Sequence, residues 1–193
     1  MTRTVAFFDF DKTLAEGESL WPFLVAAAGM PRCLLAVAQG MAAYLLTPAG
    51  EDRRTIVKDI LLRRALAGRH VADLAPAIAR MRLWPRWLEP AFSALQKHHA
   101  AGDHIVVISG SLDLYLPAML EGVPHDAIIS TTMEVEGGVL TGRMAFGNCV
   151  RARKAELVAA YLAQHGPFDD SWGYGNAPHD LPMMDLLKHR VVV

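Results

Sequence analysis

The feature that most constrains the fold is a short apolar run near the start of the chain, Thr4 to Phe10 (TVAFFDF), which leads into Asp9-Phe10-Asp11-Lys12-Thr13. The run ends without a hairpin signal, which is typical of a buried strand. Ligands bind at the carboxyl ends of strands in open α/β sheets, and residues two apart on a strand share a face. We therefore expect the Asp9 and Asp11 carboxylates to converge on one site, where a cation would relieve their repulsion. A polar turn capped by an aspartate is the alternative.

Further short apolar segments predict four more strands: His104–Ile108, Ala127–Ser130, Trp172–Tyr174 and Arg190–Val193. Helical patterns separate them, and one of these follows Ser-Gly-Ser and runs through Leu120. Strands joined by helices pair in parallel. The fold class is therefore α/β with a Rossmann-like parallel sheet core. Residues 133–144 alternate in polarity around Gly137-Gly138, which predicts a small antiparallel β-hairpin flap.

The segment between the first two predicted strands is roughly ninety residues long and has almost no strand character. It is too long for an ordinary connection in an α/β unit. Its breaking residues divide it into four or five helices: Pro31, Pro48, Gly68, Pro85 and Pro90. We expect an inserted helical cap over residues 16–87 and a core domain formed by residues 1–15 and 88–193.

The composition excludes several classes of protein. Of the 193 residues, 52% are hydrophobic and 20% are charged, which is far from the disordered class. The net charge of −1 argues against a dedicated nucleic-acid binder. Cys33 and Cys149 lie far apart, which argues against a disulfide framework and a thiolate metal site. We expect a reducing, cytoplasmic location.

Three later segments complete the pattern that Asp9 and Asp11 begin: an apolar strand ending in serine, a lysine with arginines nearby, and a polar segment after another strand. They are Val106–Ser111, Lys154 with Arg151 and Arg153 as nearby competitors for its role, and Tyr174–Met183. In this order and spacing the chain resembles the haloacid dehalogenase (HAD) superfamily of phosphatases. The helical insert and the Asp-Leu-Pro-Met sequence resemble its subclass IB, the phosphoserine-phosphatase-like branch. The chain departs from the pattern at Asn176, where that superfamily commonly has aspartate.

The resemblance implies a covalent mechanism. Asp9 would be the nucleophile that forms an aspartyl-phosphate. Asp11 would act first as the acid and then as the base. The catalytic Lys154 would hold the phosphoryl group together with Ser109 and Gly110. Taken singly, Ser109 fits a helix N-cap and Lys154 fits a solvated helix residue.

The resemblance also implies Mg²⁺ as the cofactor. Its site would comprise the Asp9 carboxylate, the Asp11 carbonyl, Asn176 and Asp180, with Asp180 acting as an acceptor for metal-bound water and for Lys154. The neutral amide oxygen of Asn176 should weaken magnesium binding, because Mg²⁺ prefers anionic oxygens.

The insert is expected to select the substrate. Glu18 lies at a position where phosphoserine phosphatases carry a glutamate that meets the substrate amine, although the start of the next helix is the plainer explanation. Residues 51–87 hold nine lysines and arginines against four acids, a net charge of +5. These charges either guide a phosphorylated substrate or form solvated helix faces. Within them, Arg54 is a candidate specificity residue.

The residues just before this basic segment carry almost no charge. From Ser19 to Gly50 the one formally charged side chain is Arg32. A buried helical hairpin of the cap is one interpretation, and contact with an anionic membrane surface is the other.

Together these features predict a magnesium-dependent phosphomonoester hydrolase. The substrate would be a small phosphorylated metabolite, such as the amino-alcohol phosphate phosphoserine. Three alternatives stay open: a lipid-phosphate phosphatase at a membrane surface, a phosphotransferase, and a catalytically weakened phosphate-binding regulatory module supported by Asn176.

Overall fold

The computed structural model describes residues 3–48 and 52–193. The first two residues of the predicted core segment, and Gly50 and Glu51 at the junction between the uncharged and basic parts of the insert, lie outside the described residues. The described residues form seven strands: β1 (Thr4–Phe8), β2 (His104–Leu112), β3 (Ala127–Thr131), β4 (Met133–Glu136), β5 (Val139–Met144), β6 (Asp170–Gly175) and β7 (His189–Val192). Five of them form a sheet in the order β3-β2-β1-β6-β7.

Each pairing in this sheet is parallel, with β1 at the centre between β2 and β6. The apolar run behaves as its sequence predicts, because successive side chains of β1 point to opposite faces. Val5 and Phe7 pack into one buried cluster. Ala6 and Phe8 pack into another. The predicted α/β fold with a Rossmann-like parallel core is confirmed.

The helices are α1 (Leu20–Ala28), α2 (Met30–Leu46), α3 (Arg53–Leu66), α4 (Ala75–Met81), α5 (Ala91–Ala101), α6 (Leu116–Met119), α7 (Arg151–His165) and α8 (Leu181–Met184), with a 3₁₀ turn at Val71–Leu74. Helix α5 packs against β1 and β2 on one face of the sheet. Helices α7 and α8 pack against each other on the opposite face. The part of the chain that the structure describes between β1 and β2 forms five α-helices, which agrees with the predicted four or five. None of the helices within residues 3–48 and 52–193 combines the length and apolar character that crossing a membrane requires.

The prediction that helical structure follows the Ser-Gly-Ser sequence was wrong in its bounds. Strand β2 continues through these residues to Leu112, because Leu112 still pairs with Thr131 of β3 across an irregularity in register. The helix that follows spans four residues, Leu116–Met119. This pairing between distant strands overrides the local helical pattern.

The predicted hairpin is present, since β4 and β5 pair antiparallel. It also binds the insert: the Gly68 amide donates to the Leu140 carbonyl at 2.9 Å, and the Leu140 amide donates to the Arg69 carbonyl at 2.8 Å. At Gly142, where φ is +81°, an added Cβ would lie 2.7 Å from the Arg63 Cα of helix α3. The hairpin therefore forms a tight seam between the sheet and the insert.

Candidate active site

A cleft of about 260 Å³ opens where β1, β2 and β6 end, and the insert forms its opposite side. Every site residue predicted from the sequence lines this cleft: Asp9, Asp11, Glu18, Arg54, Ser109, Gly110, Lys154, Asn176 and Asp180. The carboxyl ends of neighbouring parallel strands meet at one edge of a sheet, which is why segments far apart in sequence come together here.

Asp9 lies at the floor of the cleft, directly after β1, and is buried. Lys154 Nζ donates to its Oδ1 at 2.6 Å, and Thr13 Oγ1 donates to its Oδ2 at 2.9 Å. Burial raises the pKa of Asp9 to about 6, although the Lys154 ammonium opposes the shift. The ionised form of Asp9 is therefore energetically unfavourable in this buried position, and the positive charge of Lys154 offsets part of that free-energy cost.

Lys154 is shared between two carboxylates. Its Nζ also donates to Asp180 Oδ1 at 2.6 Å, and all three side chains are buried. Burial lowers the pKa of Lys154, but Asp9 and Asp180 outweigh it and the net shift is upward. Lys154 therefore stays protonated beside these two side chains. Because Lys154 is buried, the alternative of a solvated helix residue is wrong.

Asp11 is held by both sides of the cleft. Its Oδ2 accepts from Ser111 Oγ at 2.8 Å, and its Oδ1 accepts from the Ser19 amide at 3.0 Å. Ser19 Oγ lies 3.0 Å from Tyr115 Oη. Burial raises the pKa of Asp11 despite the bonds from Ser111 and Ser19. This environment suits a carboxyl group that gives and takes a proton.

Ser109 and Gly110 form the side of the cleft beside Lys154. Ser109 Oγ accepts from the Ser111 amide at 3.0 Å within strand β2, so the interpretation of Ser109 as a helix N-cap is wrong. A Cβ added at Gly110 would lie 2.8 Å from Val150 Cγ1. Close packing therefore favours glycine at this position.

The oxygen atoms near Asn176 suit a magnesium ion. Its Nδ2 lies 3.3 Å from Asp9 Oδ2 and 3.4 Å from the Asp11 carbonyl oxygen. Rotating the side-chain amide of Asn176 by half a turn exchanges its nitrogen and oxygen and brings three oxygens together. Carboxylate, carbonyl and amide oxygens are ligands that Mg²⁺ accepts. Within residues 3–48 and 52–193 no group of three His, Cys, Asp or Glu side chains suits a metal, so a site here would depend on this mixed set.

Asp180 has a different place from the other predicted metal ligands. Its Oδ1 accepts a hydrogen bond from Lys154 Nζ, and its Oδ2 accepts one from the backbone N–H of Asn176 at 2.9 Å. With both oxygens occupied, Asp180 orients the lysine and the Asn176 backbone.

The sequence did not single out Lys58, which helix α3 directs into the cleft. Its Nζ donates to the Gly110 carbonyl and to Asn148 Oδ1, both at 2.6 Å. Burial lowers the pKa of Lys58 to about 8. Lys58 stands four residues after Arg54, and this helical spacing was the available signal that both face one side. Asn148 lies in a loop, and no pattern in the sequence pointed to it.

The two predicted specificity residues lie at the mouth of the cleft. Glu18 forms an ion pair with Lys12, and both side chains are largely exposed. The Lys12 backbone has φ of 61°, a left-handed conformation that glycine adopts more easily. Arg54 Nη1 lies 2.9 Å from His179 Nε2, which bridges the insert and the segment after β6.

A second bridge across the mouth joins Arg151 Nη1 to Asp52 Oδ1 at 3.1 Å. Arg151 begins α7, and Asp52 caps α3 by accepting from the Thr55 amide. Arg151 was a competitor for the phosphate-binding role of Lys154, but its partner is on the insert. These bridges make the start of α3 the element that closes the cleft.

Comparison with known proteins agrees with this fold. The chain is 27% identical over 199 residues to a probable phosphatase of Mycobacterium tuberculosis, covering 99% of this chain and 69% of that protein. The crystal structure of a protein with unknown function from Bordetella pertussis Tohama I has a TM-score of 0.79 and 22% identity, covering 100% of this chain and 90% of that one.

A phosphoserine phosphatase solved as a phospho-aspartyl intermediate analogue has a TM-score of 0.66 and 19% identity, covering 100% of this chain and 87% of that one. At these identities the structural likenesses establish a shared fold. The profile of the family described as haloacid dehalogenase-like hydrolase matches residues 6–185, nearly the whole chain. The predicted resemblance is confirmed, and the chain belongs to the haloacid dehalogenase-like hydrolases.

Proposed function

We propose that this hydrolase is a magnesium-dependent phosphatase that cleaves phosphomonoesters through an aspartyl-phosphate on Asp9. One observation carries the proposal: a buried carboxylate at the cleft floor contacts Lys154 and Thr13, with Asp11 two residues away. The M. tuberculosis relative, a probable phosphatase, supports the same reaction class.

In the first step, an Asp9 carboxylate oxygen attacks phosphorus and the bond from phosphorus to the leaving oxygen breaks. The electron pair of that bond goes to the leaving oxygen, which takes a proton from Asp11. The raised pKa of Asp11 favours the protonated form that this transfer requires. The products are an acyl phosphate on Asp9 and a free alcohol.

In the second step, a water molecule attacks the same phosphorus. Asp11, now ionised, takes a proton from the water, and the bond between phosphorus and the Asp9 oxygen breaks. Inorganic phosphate leaves, and both aspartates return to their starting states. Ser19 and Ser111 would hold the Asp11 side chain in place for both proton transfers.

The phosphoryl oxygens would be held by Ser109 Oγ, the Gly110 amide and Lys154 Nζ, which line one side of the cleft. Asp9, the Asp11 carbonyl and Asn176 would hold Mg²⁺, with Asp180 orienting Asn176. A bound magnesium ion would supply positive charge that keeps Asp9 ionised and offsets repulsion between Asp9 and phosphate.

We further propose that residues 16–87 act as a cap that selects the leaving group. Phosphoryl groups are alike among substrates, so discrimination depends on groups above the leaving-group side. Glu18 carries the negative charge that an amino-alcohol phosphate such as phosphoserine would meet. Arg54 lies at the same mouth and could contact a substrate carboxylate.

The substrate is therefore proposed to be a small phosphorylated metabolite. Cys33 and Cys149 are free and buried, which agrees with a reducing compartment, and we propose a cytoplasmic location. A second candidate, a lipid-phosphate phosphatase acting at a membrane surface, is favoured by one observation: helix α2 exposes large apolar side chains.

A phosphatase assay with and without Mg²⁺ tests the proposal. The panel contains phosphoserine, other small phosphomonoesters, an aryl phosphate and a diacylglycerol phosphate in vesicles. We expect release of inorganic phosphate with Mg²⁺ and its loss with a chelator. Asn176→Asp should tighten magnesium binding measured by calorimetry, because an anionic oxygen replaces an amide oxygen. Release of phosphate that is equal with and without Mg²⁺ would contradict the proposed cofactor.

A further inference from the structure

Helix α2 has one buried face and one exposed apolar face. Cys33, Ala36 and Gly40 are buried against the rest of the insert. On the other side Leu34 is 56% exposed, Leu45 is 76% exposed and Leu46 is 84% exposed. We name the exposed set the α2 face: Leu34, Leu35, Met41, Leu45 and Leu46. The expectation of a buried helical hairpin is therefore correct for one side of α2 only.

The α2 face is continuous and almost uncharged. Leu34, Met41 and Leu45 follow spacings of seven and four residues, so they form one stripe along the helix. Helix α2 contains no acidic residue, and its single charged side chain is the exposed Arg32. An apolar stripe of this kind is larger than the scattered apolar residues of an ordinary surface.

Positive charge lies directly beside the α2 face. Helix α3, against which α2 packs, carries Arg53, Arg63 and Arg64 outside the cleft. Its other two basic residues, Arg54 and Lys58, line the cleft, and its Asp59 pairs with Arg63. The Arg53 guanidinium lies 5.2 Å from the centre of the Tyr44 ring at the end of α2. Apolar side chains beside basic ones complement an anionic lipid surface, which offers hydrocarbon and negative headgroups together.

The size of the α2 face favours lipid over a second copy of the chain. A helix of 17 residues is about 25 Å long and about 10 Å wide, so one face covers roughly 250 Å². A stable protein interface buries about 800 Å² on each partner. Insertion into a lipid surface needs only a few apolar side chains together with basic residues.

The α2 face is also close in the chain to the cleft. Arg53 Nε donates to the Thr47 carbonyl at 3.0 Å, which ties the end of α2 to the start of α3. The next residue, Arg54, lines the cleft. We infer that the α2 face binds an anionic lipid surface and so holds the mouth of the cleft near that surface. This inference concerns binding and does not depend on the proposed reaction.

Vesicle sedimentation tests the inference. Full-length protein is mixed with vesicles of phosphatidylcholine alone or with about one third phosphatidylserine. We expect sedimentation with the anionic vesicles and release at high salt, because salt screens the basic residues. Leu34→Gln/Leu45→Gln should lower binding by about tenfold to a hundredfold. Arg32→Gln should lower binding to anionic vesicles by about fivefold.

The matched control is Leu83→Gln/Phe146→Gln, which changes two exposed side chains outside α2, 91% and 72% exposed, respectively. The control should bind as the wild type does, and circular dichroism should show equal helix content in every variant, since glutamine is a good helix former. Absence of wild-type sedimentation, or equal binding by the α2 variant, would overturn the inference. So would a concentration-dependent dimer that the α2 variant abolishes, because a second copy would then cover this face.

Discussion

The two walls of the cleft are built differently. The wall at the sheet edge consists of buried side chains from strand ends and from the start of helix α7, and these side chains bind one another: Asp9 is bound by Lys154, and Lys154 by Asp180. The wall from the insert carries longer side chains, and Arg54 and Glu18 are exposed and reach across the mouth. Two residues of the insert are exceptions: Lys58 is half-buried and bound to the Gly110 carbonyl, and Ser19 is buried and bound to Asp11.

This difference separates two tasks. A buried, mutually hydrogen-bonded wall keeps reacting groups in fixed positions, which a phosphoryl transfer requires. An exposed wall joined to the other by a few polar bridges can open for a substrate and close again. We therefore expect changes in the sheet wall to affect the reaction and stability, and changes in the insert wall to affect substrate choice.

The largest effect is expected from Asp9→Asn. The amide keeps the side-chain size but is not a nucleophile, so kcat with a phosphomonoester should fall on the order of 10⁴-fold or more. The matched control is Asp52→Asn, an acid of the insert wall, which should keep most of the activity. Steady-state phosphate release measures both, and a near wild-type rate for Asp9→Asn would falsify the assignment of the nucleophile.

Lys154→Met tests how firmly the sheet wall depends on its buried cation. Two buried carboxylates would lose their partner, which should lower the free energy of unfolding by about 3 to 5 kcal/mol. Adding Asp180→Asn should restore part of the loss, because one uncompensated charge is removed. Urea unfolding gives both values, and a loss below about 1 kcal/mol would show that the pair contributes little.

Lys58→Met tests a residue of the insert wall that is bound to the sheet wall. Burial lowers the pKa of Lys58 to about 8, whereas the ordinary lysine pKa is 10.5. Between pH 8 and pH 10.5, Lys58 therefore binds fewer protons in the native state than in the unfolded state. Wild-type stability should therefore rise with pH in this range, by on the order of 2 kcal/mol relative to Lys58→Met.

Urea unfolding of both proteins at several pH values measures this difference. Lys97→Met, at an exposed position on α5, is the control and should follow the wild type. A difference in stability between wild type and Lys58→Met that stays constant from pH 7.5 to pH 10 would contradict a lysine with a lowered pKa.

The smallest effect is expected from Glu18→Gln. If Glu18 meets a substrate amine, kcat/KM for an amino-alcohol phosphate should fall by about threefold to tenfold, because an exposed charge pair contributes little. Activity on an aryl phosphate should stay nearly unchanged. Glu16→Gln, an exposed neighbour, controls for general changes in charge. Equal losses on both substrates would mean that Glu18 does not select the leaving group.

The sheet wall was predictable from sequence for a physical reason. A strand fixes where its last residues point, so the apolar run alone placed Asp9 and Asp11 at the ligand-binding edge. The motif order then placed Ser109 and Lys154 beside them. The insert wall was not predictable to the same degree, because the face that a helix turns inward depends on what packs against it.

Particular residues show the limit. In the sequence, Lys58 was one of nine basic residues in residues 51–87 and nothing marked it as a cleft residue. Its orientation depends on the contact of α3 with β5 of the hairpin. The length of β2 depended on Leu112 pairing with Thr131, a contact between segments distant in sequence. The exposed face of α2 could not be predicted from the sequence, because an uncharged apolar segment is compatible with both a buried helix and a surface helix.

The central claim is a covalent phosphate on Asp9, and trapping it is the most direct test. The enzyme with Mg²⁺ is mixed with a phosphomonoester that it hydrolyses, and the reaction is quenched in acid within milliseconds. The protein is then reduced with borohydride and digested for mass spectrometry. An acyl phosphate is reduced to an alcohol, so we predict homoserine at position 9 and an unmodified carboxyl at Asp11 and Asp180. Turnover without any modification at Asp9, or reduction at another carboxylate instead, would contradict the mechanism.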